Sequence, residues 1–132
     1  PVPPGREGSV IVVIATDAPL SERQLGRLCR RGMLGLSRVG AIAGNTSGDL
    51  LIAFSNALEN RVDRTSQQVL RTQTHVADGA LEPFFRATIE ATEESVLNAL
   101  VAARTMVGRD GNTAHALPHD RLRDILARHG RR

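Results

Sequence analysis

The sequence predicts an α/β or α+β chain with helices layered on a sheet, and three observations carry that prediction. A β-branched apolar run, Ser9-Val10-Ile11-Val12-Val13-Ile14-Ala15-Thr16, reads as a strand. A capping box formed by Ser21 and Gln24 opens a segment whose apolar residues recur with a period of about 3.6 residues. The remaining segments complete the order strand, helix, two strands, helix, helix, and the 132 residues fit one domain.

Because the first strand is apolar at both parities, it is expected to be buried on both faces, and Asp17-Ala18-Pro19 ends it. The helix after Ser21 carries Leu25, Leu28, Cys29, Gly32, Leu36 and Val39 on one stripe, so Cys29 reads as a core residue. Residues 40–44 and 50–55 read as two strands separated by the polar turn 45–49, hence as a hairpin. The polar stretch 56–73 has weak periodicity and reads as a loop with an edge strand around 66–70. A long helix is expected from Asp78, with Pro83 tolerated in its first turn. Leu81, Phe84, Phe85, Ile89, Val96, Leu97, Leu100 and Val101 supply its apolar face. Residues 108–112 stop that helix, and 118–128 form a short terminal one.

Composition removes several classes of function. The core must be built from Ala, Val, Leu and Ile, because aromatics are only 2% of the chain: Phe54, Phe84 and Phe85. Without Trp or Tyr there is little to stack single-stranded nucleic acid upon. All 17 basic residues are arginine, but 14 acids are scattered among them and only 128–132 is a dense basic run. No nucleic-acid partner is expected on that pattern. The absence of lysine removes lysine as a catalytic base or Schiff-base former within this chain. A single cysteine, Cys29, excludes an internal disulfide and a cysteine-based zinc site. His115 and His119 are separated by Pro118 among others, His75 and His129 stand apart, and no three-ligand metal set assembles. No Walker A or dinucleotide glycine pattern occurs; Gly44-Asn45-Thr46-Ser47-Gly48 leads into a strand, not a helix. No metal or organic cofactor is therefore expected. The longest apolar run, from Val10 to Ala15, is too short to cross a bilayer, and no signal-peptide pattern opens the chain. With the free Cys29, this reads as a cytoplasmic chain without membrane contact. The opening Pro1-Val2-Pro3-Pro4-Gly5 reads as a linker arriving from something upstream.

Two local features carry chemistry. Gly8-Ser9 places a serine at the start of a strand, behind a flexible linker, as an internal self-cleavage site would. A serine freed at a new N-terminus can use its own amine as general base, and that amine titrates near 8 when unperturbed. Glycine before it permits backbone conformations closed to other residues, so the bond to be cut can be strained. Taken alone, Gly-Ser is also simply how a strand begins. Ser47 and Asp49 are two residues apart, so in an extended segment both side chains leave on one face. Together they can orient an amine or relay a proton; alone, they are also a turn using its polar side chains locally.

The stretch Arg6-Glu7-Gly8-Ser9-Val10-Ile11-Val12-Val13-Ile14-Ala15-Thr16-Asp17-Ala18-Pro19-Leu20 resembles the start of the small subunit of the β-peptidyl aminopeptidases, the L-aminopeptidase/D-esterase (DmpA-like) family. Arg30-Arg31-Gly32-Met33-Leu34-Gly35-Leu36, Ser47-Gly48-Asp49, Ile52-Ala53-Phe54-Ser55, Glu90 through Leu100 and Gly108-Arg109-Asp110-Gly111 continue the resemblance in order, over about residues 5–117. The resemblance implies a precursor that cuts itself between Gly8 and Ser9, leaving 1–8 as linker and 9–132 as the small catalytic subunit. It implies an αββα four-layer sandwich of the N-terminal-nucleophile type, of which this chain supplies the C-terminal part. Ser9 corresponds to the nucleophile, and Ser47 and Asp49 to the hydroxyl and acid near the new amine. The implied activity is release of the N-terminal residue from short peptides, amides or esters, without cofactor. The implied partner is a larger N-terminal subunit from the same precursor, and the pairs assemble into higher oligomers. Thr46 and Asn56-Ala57-Leu58 depart from the family pattern, which touches the turn and the cleft but not Ser9. Oxyanion and substrate-binding groups belong to the larger part in this family, so the chain alone is expected to be inactive. Two rivals remain: a self-processing acyltransferase of the ornithine acetyltransferase type, which uses threonine where Ser9 stands, and a non-catalytic arginine-rich interaction domain.

Overall fold

Two parallel strands joined through a helix form the centre of the computed structural model, which describes residues 8–131. In chain order the elements are β1 (Ile11–Thr16), α1 (Glu22–Arg38), β2 (Leu50–Ser55), α2 (Glu82–Ala102), β3 (Met106–Val107), β4 (Thr113–Ala114) and α3 (His119–Arg128). They fall into two compact units, residues 8–93 and residues 94–131.

β1 and β2 pair in parallel, from Ile11 opposite Leu50 to Thr16 opposite Ser55. This corrects the expected hairpin: residues 40–44 form no strand, and β2 takes β1 as its neighbour instead. Gly40 explains the difference. It lies in the left-handed region (φ 97°), with its N–H donating to Ser37 O and the Ala41 N–H to Leu36 O. That is the Schellman ending of α1, so the segment is committed to capping a helix. Parallel strands need a crossover, and α1 supplies it.

The start of α1 is as the sequence predicts. Ser21 N–H donates to Gln24 Oε1 at 3.0 Å and Gln24 N–H returns to Ser21 Oγ at 3.4 Å. Gln24 is fully buried, and its Nε2 donates to Val76 O at 2.7 Å and Asp78 Oδ1 at 2.9 Å. A buried amide is tolerated only when its polar atoms are matched, as here. Leu20, Leu28, Leu81 and Phe85 make the core, with Ile14, Ala18, Leu25, Val76 and Phe84 packed against it. Arg27 and Arg31 stack over the Phe85 ring, 4.7 and 3.9 Å from its centroid.

α1 comes unusually close to its neighbours at two glycines. A Cβ at Gly32 would stand 2.7 Å from Leu51 Cδ2, and one at Gly35 would stand 2.6 Å from Ile89 O and 2.7 Å from Thr92 Cβ. The face that α2 buries here is therefore Phe85, Thr88 and Thr92, rather than a purely apolar one. Thr88 and Thr92 turn their hydroxyls back to Phe84 O and Thr88 O, both at 2.7 Å, and the Thr92 methyl faces Gly35 of α1.

β1 is covered on one face only. Val12 and Ile14 are turned inward, while Ile11 and Val13 are exposed, as are Leu50, Ile52 and Phe54 opposite them. The expectation of burial on both faces is thus met on one side, because no described residue covers the other. The edge strand around 66–70 does not form. Asp63 instead accepts from the Thr65 N–H and hydroxyl at 2.8 and 2.7 Å, local bonds that compete with a ladder. Asn60 holds the return of this loop, exchanging two hydrogen bonds with the Thr74 backbone.

In the second unit α2 ends at Ala102, before the glycine-rich segment expected to stop it. Residues 108–112 instead turn a small hairpin, with Asp110 and Gly111 at positive φ and Gly108 N–H donating to Asn112 O at 2.7 Å. Strands two residues long leave no periodic signature, so sequence reading missed β3 and β4. α3 begins after Pro118 as expected, with His119 Nε2 2.9 Å from Val101 O.

Gly35→Ala should lower stability by about 1–3 kcal/mol, since backbone must move to admit the methyl. Gly26→Ala, on the open side of the same helix with nothing within 4 Å of the added Cβ, should raise it by up to about 1 kcal/mol. Equal effects in equilibrium denaturation would show that the close approach is not rigid. A second expectation concerns acid. The Arg23 guanidinium, followed by the Gln24 amide, holds the Asp78 carboxyl below its usual 3.8. That contribution is complete above the unfolded value and is lost as pH falls through the lower folded one. Asp78→Asn should lower Tm at neutral pH and flatten its fall below about pH 4; an unchanged acid limb removes Asp78 from the linkage.

Candidate active site

Because β1 and β2 run in the same direction, their amino ends lie side by side, and the residues just before each strand meet there. Leu50 N–H donates to Val10 O at 2.9 Å, the first rung of the ladder. One step earlier a side chain replaces the backbone: Val10 N–H donates to Asp49 Oδ1 at 3.0 Å. The three residues singled out from the sequence are brought together by this pairing.

Ser47 Oγ stands 2.6 Å from Asp49 Oδ1 and 3.1 Å from Gly8 O. A serine hydroxyl has one proton to give, and the shorter, charge-assisted contact to the carboxylate claims it first. The second contact places the same hydroxyl against the carbonyl of the Gly8–Ser9 bond. Gly48 N–H donates to Ser9 Oγ at 2.9 Å. Ser9 Oγ therefore accepts from the backbone of one strand's approach, while its own peptide carbonyl neighbour meets the side chain one residue earlier. Gly8, Ser9 and Gly48 are exposed, whereas Ser47, Asp49 and Val10 are half-buried. A serine hydroxyl open to solvent with a half-buried carboxylate nearby is an arrangement suited to covalent acyl chemistry.

Spacing alone predicts the Ser47–Asp49 contact, and the structure has it. What sequence reading missed are the two backbone donors, Gly48 N–H and Val10 N–H. Their signal exists only once β2 is known to pair with β1 in parallel. Thr46 lies beside the cluster in sequence, and Asn56-Ala57-Leu58 sits past the far end of β2. A cavity of about 450 Å³ at that far end is lined by Leu20, Ser21, Ser55, Asn56, Asn60 and His75, among others, and includes none of the Ser9 cluster. No group of three or more His, Cys, Asp or Glu is arranged to hold a metal ion among the described residues. No described helix is long and apolar enough to cross a membrane.

Residues 3–114 match the model of peptidase family S58. The β-peptidyl aminopeptidase BapA of Sphingosinicella microcystinivorans is 45% identical over 130 residues, which cover 98% of this chain and 32% of that protein. Among solved structures, the L-aminopeptidase D-Ala-esterase/amidase of Ochrobactrum anthropi, a prototype for the serine aminopeptidases and a variant of the Ntn hydrolase fold, superposes with a TM-score of 0.83 at 40% identity. It is matched over 93% of this chain and 34% of its own. The PH0078 protein of Pyrococcus horikoshii OT3 superposes with a TM-score of 0.82 at 44% identity, over 92% of this chain and 34% of its own. The mixed α/β class read from the sequence is that of these neighbours. This chain spans about a third of the length of the relatives it matches.

Proposed function

The chain belongs to peptidase family S58, and from that premise we propose that it is the catalytic small subunit of a self-processing serine aminopeptidase, with Ser9 as nucleophile. Residues 1–8 are the linker before the cut, and 9–132 are the working part. The observation that carries this reading is the pair of contacts at one peptide bond: Ser47 Oγ on Gly8 O and Gly48 N–H on Ser9 Oγ.

In the uncut chain Ser9 Oγ attacks the Gly8 carbonyl carbon. Negative charge grows on Gly8 O, and the Ser47 proton, held by Asp49 at rest, turns to that oxygen 3.1 Å away; such donors are worth several kcal/mol of barrier. The C–N bond breaks, the Gly8 acyl group passes to Ser9 Oγ as an ester, and the hydroxyl proton ends on the Ser9 nitrogen. Water hydrolyses the ester, leaving a Gly8 carboxylate and a free Ser9 amine and hydroxyl. Once Gly8 departs, Ser47 and Asp49 are left facing the new amine. In turnover that amine takes the Oγ proton as Oγ attacks a substrate carbonyl, then returns it to the leaving amine or alcohol. Water resolves the acyl-enzyme. An α-amine near pKa 8 keeps a useful neutral fraction at physiological pH, which this role requires.

Substrates on this reading are short peptides, amides or esters with a free N-terminal residue; the relatives are named as a β-peptidyl aminopeptidase and an L-aminopeptidase D-Ala-esterase/amidase. The partner is a larger N-terminal subunit of the same precursor. Its supports are the share of the relatives this chain does not span and the bare apolar sheet face of Ile11, Val13, Leu50, Ile52 and Phe54. Parallel sheets are stable when both faces are covered, and a partner sheet layer would cover this one. Such pairs then assemble further, and the free Cys29 fits a cytoplasmic setting.

The intact mass of the protein expressed from its full natural reading frame should show a chain beginning at Ser9 beside a larger partner. Ser9→Ala should give only the uncut chain and no turnover; self-cleavage retained in that variant would end the assignment. Asp49→Asn keeps the shape of the acceptor and removes its charge, so both steps should slow by about 10²-fold or more with Tm little changed. Unchanged rates would take Asp49 out of the mechanism.

A further inference from the structure

We infer that Ala43 is a positioning residue for self-cleavage: its left-handed backbone aims the turn that brings the Ser47 hydroxyl to the Gly8 carbonyl. The inference rests on the reading above and deepens it. Two of the described residues other than glycine hold a positive φ, Asp110 at 57° and Ala43 at 47°. Asp110 sits in the tight turn between β3 and β4, where positive φ suits the twist of the strands, and aspartate tolerates it. Neither reason applies to Ala43. Residues 40–44 form no strand, and a methyl side chain offers no hydrogen bond to offset the conformation. An alanine in this region is held there by its surroundings.

Those surroundings are a helix end on one side and the site on the other. Before the bend, Ala41 N–H donates to Leu36 O at 3.1 Å and ties the chain to α1. Directly after it, Ser47 N–H donates to Gly44 O at 2.9 Å and closes a four-residue turn. The next contacts belong to the site: Ser47 Oγ lies 3.1 Å from Gly8 O, and Gly48 N–H donates to Ser9 Oγ at 2.9 Å. Ala43 thus lies between two fixed points and sets the direction of the turn that carries Ser47. Ala43 itself is exposed, and no residue from 41 to 49 is fully buried. Loss of the bend therefore costs the placement of Ser47 and not the core. Such a residue acts on the reaction only through Ser47.

The test is a series at position 43 in the full-length precursor made by cell-free translation, with cleavage followed over time by intact mass and stability read as Tm. Ala43→Gly and Ala43→Asn keep access to positive φ, whereas the β-branched Ala43→Val does not. The Gly and Asn variants should cut within about threefold of the wild-type rate, and Ala43→Val at least about tenfold more slowly, with Tm kept. Placed in a Ser47→Ala precursor, Ala43→Val should slow the remaining cleavage by less than about twofold, because the residue it acts through is already gone. A merely structural role would not give that non-additivity; where Ser47→Ala is too slow to time, rescue by Gly and Asn decides. Four results overturn the inference while wild-type cleavage leaves the aminopeptidase reading standing. They are wild-type cleavage in Ala43→Val, an equal loss in Ala43→Gly or Ala43→Asn, losses that multiply in the double variant, and a fall in Tm that accompanies the slower cut. A wild-type precursor that does not cut removes that reading, and the inference with it.

Discussion

Parallel pairing of β1 with β2 is the constraint from which the site follows. Antiparallel neighbours joined by a tight turn would put the start of one strand beside the end of the other. Here the register of Ile11 with Leu50 sets the two starts together, and the residues preceding them, Ser9 on one side and Ser47 to Asp49 on the other, are brought within hydrogen-bond distance. The ladder continues one step past its last backbone rung through the Asp49 carboxylate. A shift of register by one residue would separate these groups and turn the inward side chains outward at the same time. Packing and chemistry are thus fixed by the same hydrogen bonds.

α1 is what holds that register. It must lie against the sheet closely enough to act as the crossover, and Gly32 lets Leu51 and Ile14 reach its backbone. Gly35 does the same for α2 at Ile89 and Thr92. The amino end is secured by Gln24, whose buried amide ties the cap of α1 to Val76 and Asp78 and so to the approach of α2. The carboxyl end is secured by Gly40. All of these contacts but that of Gln24 with Asp78 involve backbone on at least one side, which leaves little freedom for the helix to slide.

The features legible in the sequence were the local ones. Ser21 with Gln24, the stripe through Leu28 and Leu36, and the two-residue spacing of Ser47 and Asp49 depend on neighbours within four residues, and each stands where the pattern puts it. Strand partnership depends on residues 39 apart, and no periodicity encodes it; the ordered resemblance reached the fold class by another route. Gly40 was readable in principle as a helix ending, but Ala41, Ile42 and Ala43 gave the segment a strand-like composition. The two-sided apolarity of β1 was read as burial on both faces, and the structure meets that on one. No described residue covers the other face, and this chain spans about a third of its relatives' length.

The single proton of the Ser47 hydroxyl, shared between Asp49 and Gly8, has a consequence for timing. Under the proposed mechanism the linker carbonyl occupies the seat that a substrate carbonyl would later need, so the uncut molecule is its own first substrate and its own plug. The plug can be removed only where the strands have already zipped in register. A serine at the new N-terminus is then a receipt for correct folding, issued by the same groups that will work afterwards. Under that mechanism, chains that misfold would keep their linker and their site would stay blocked.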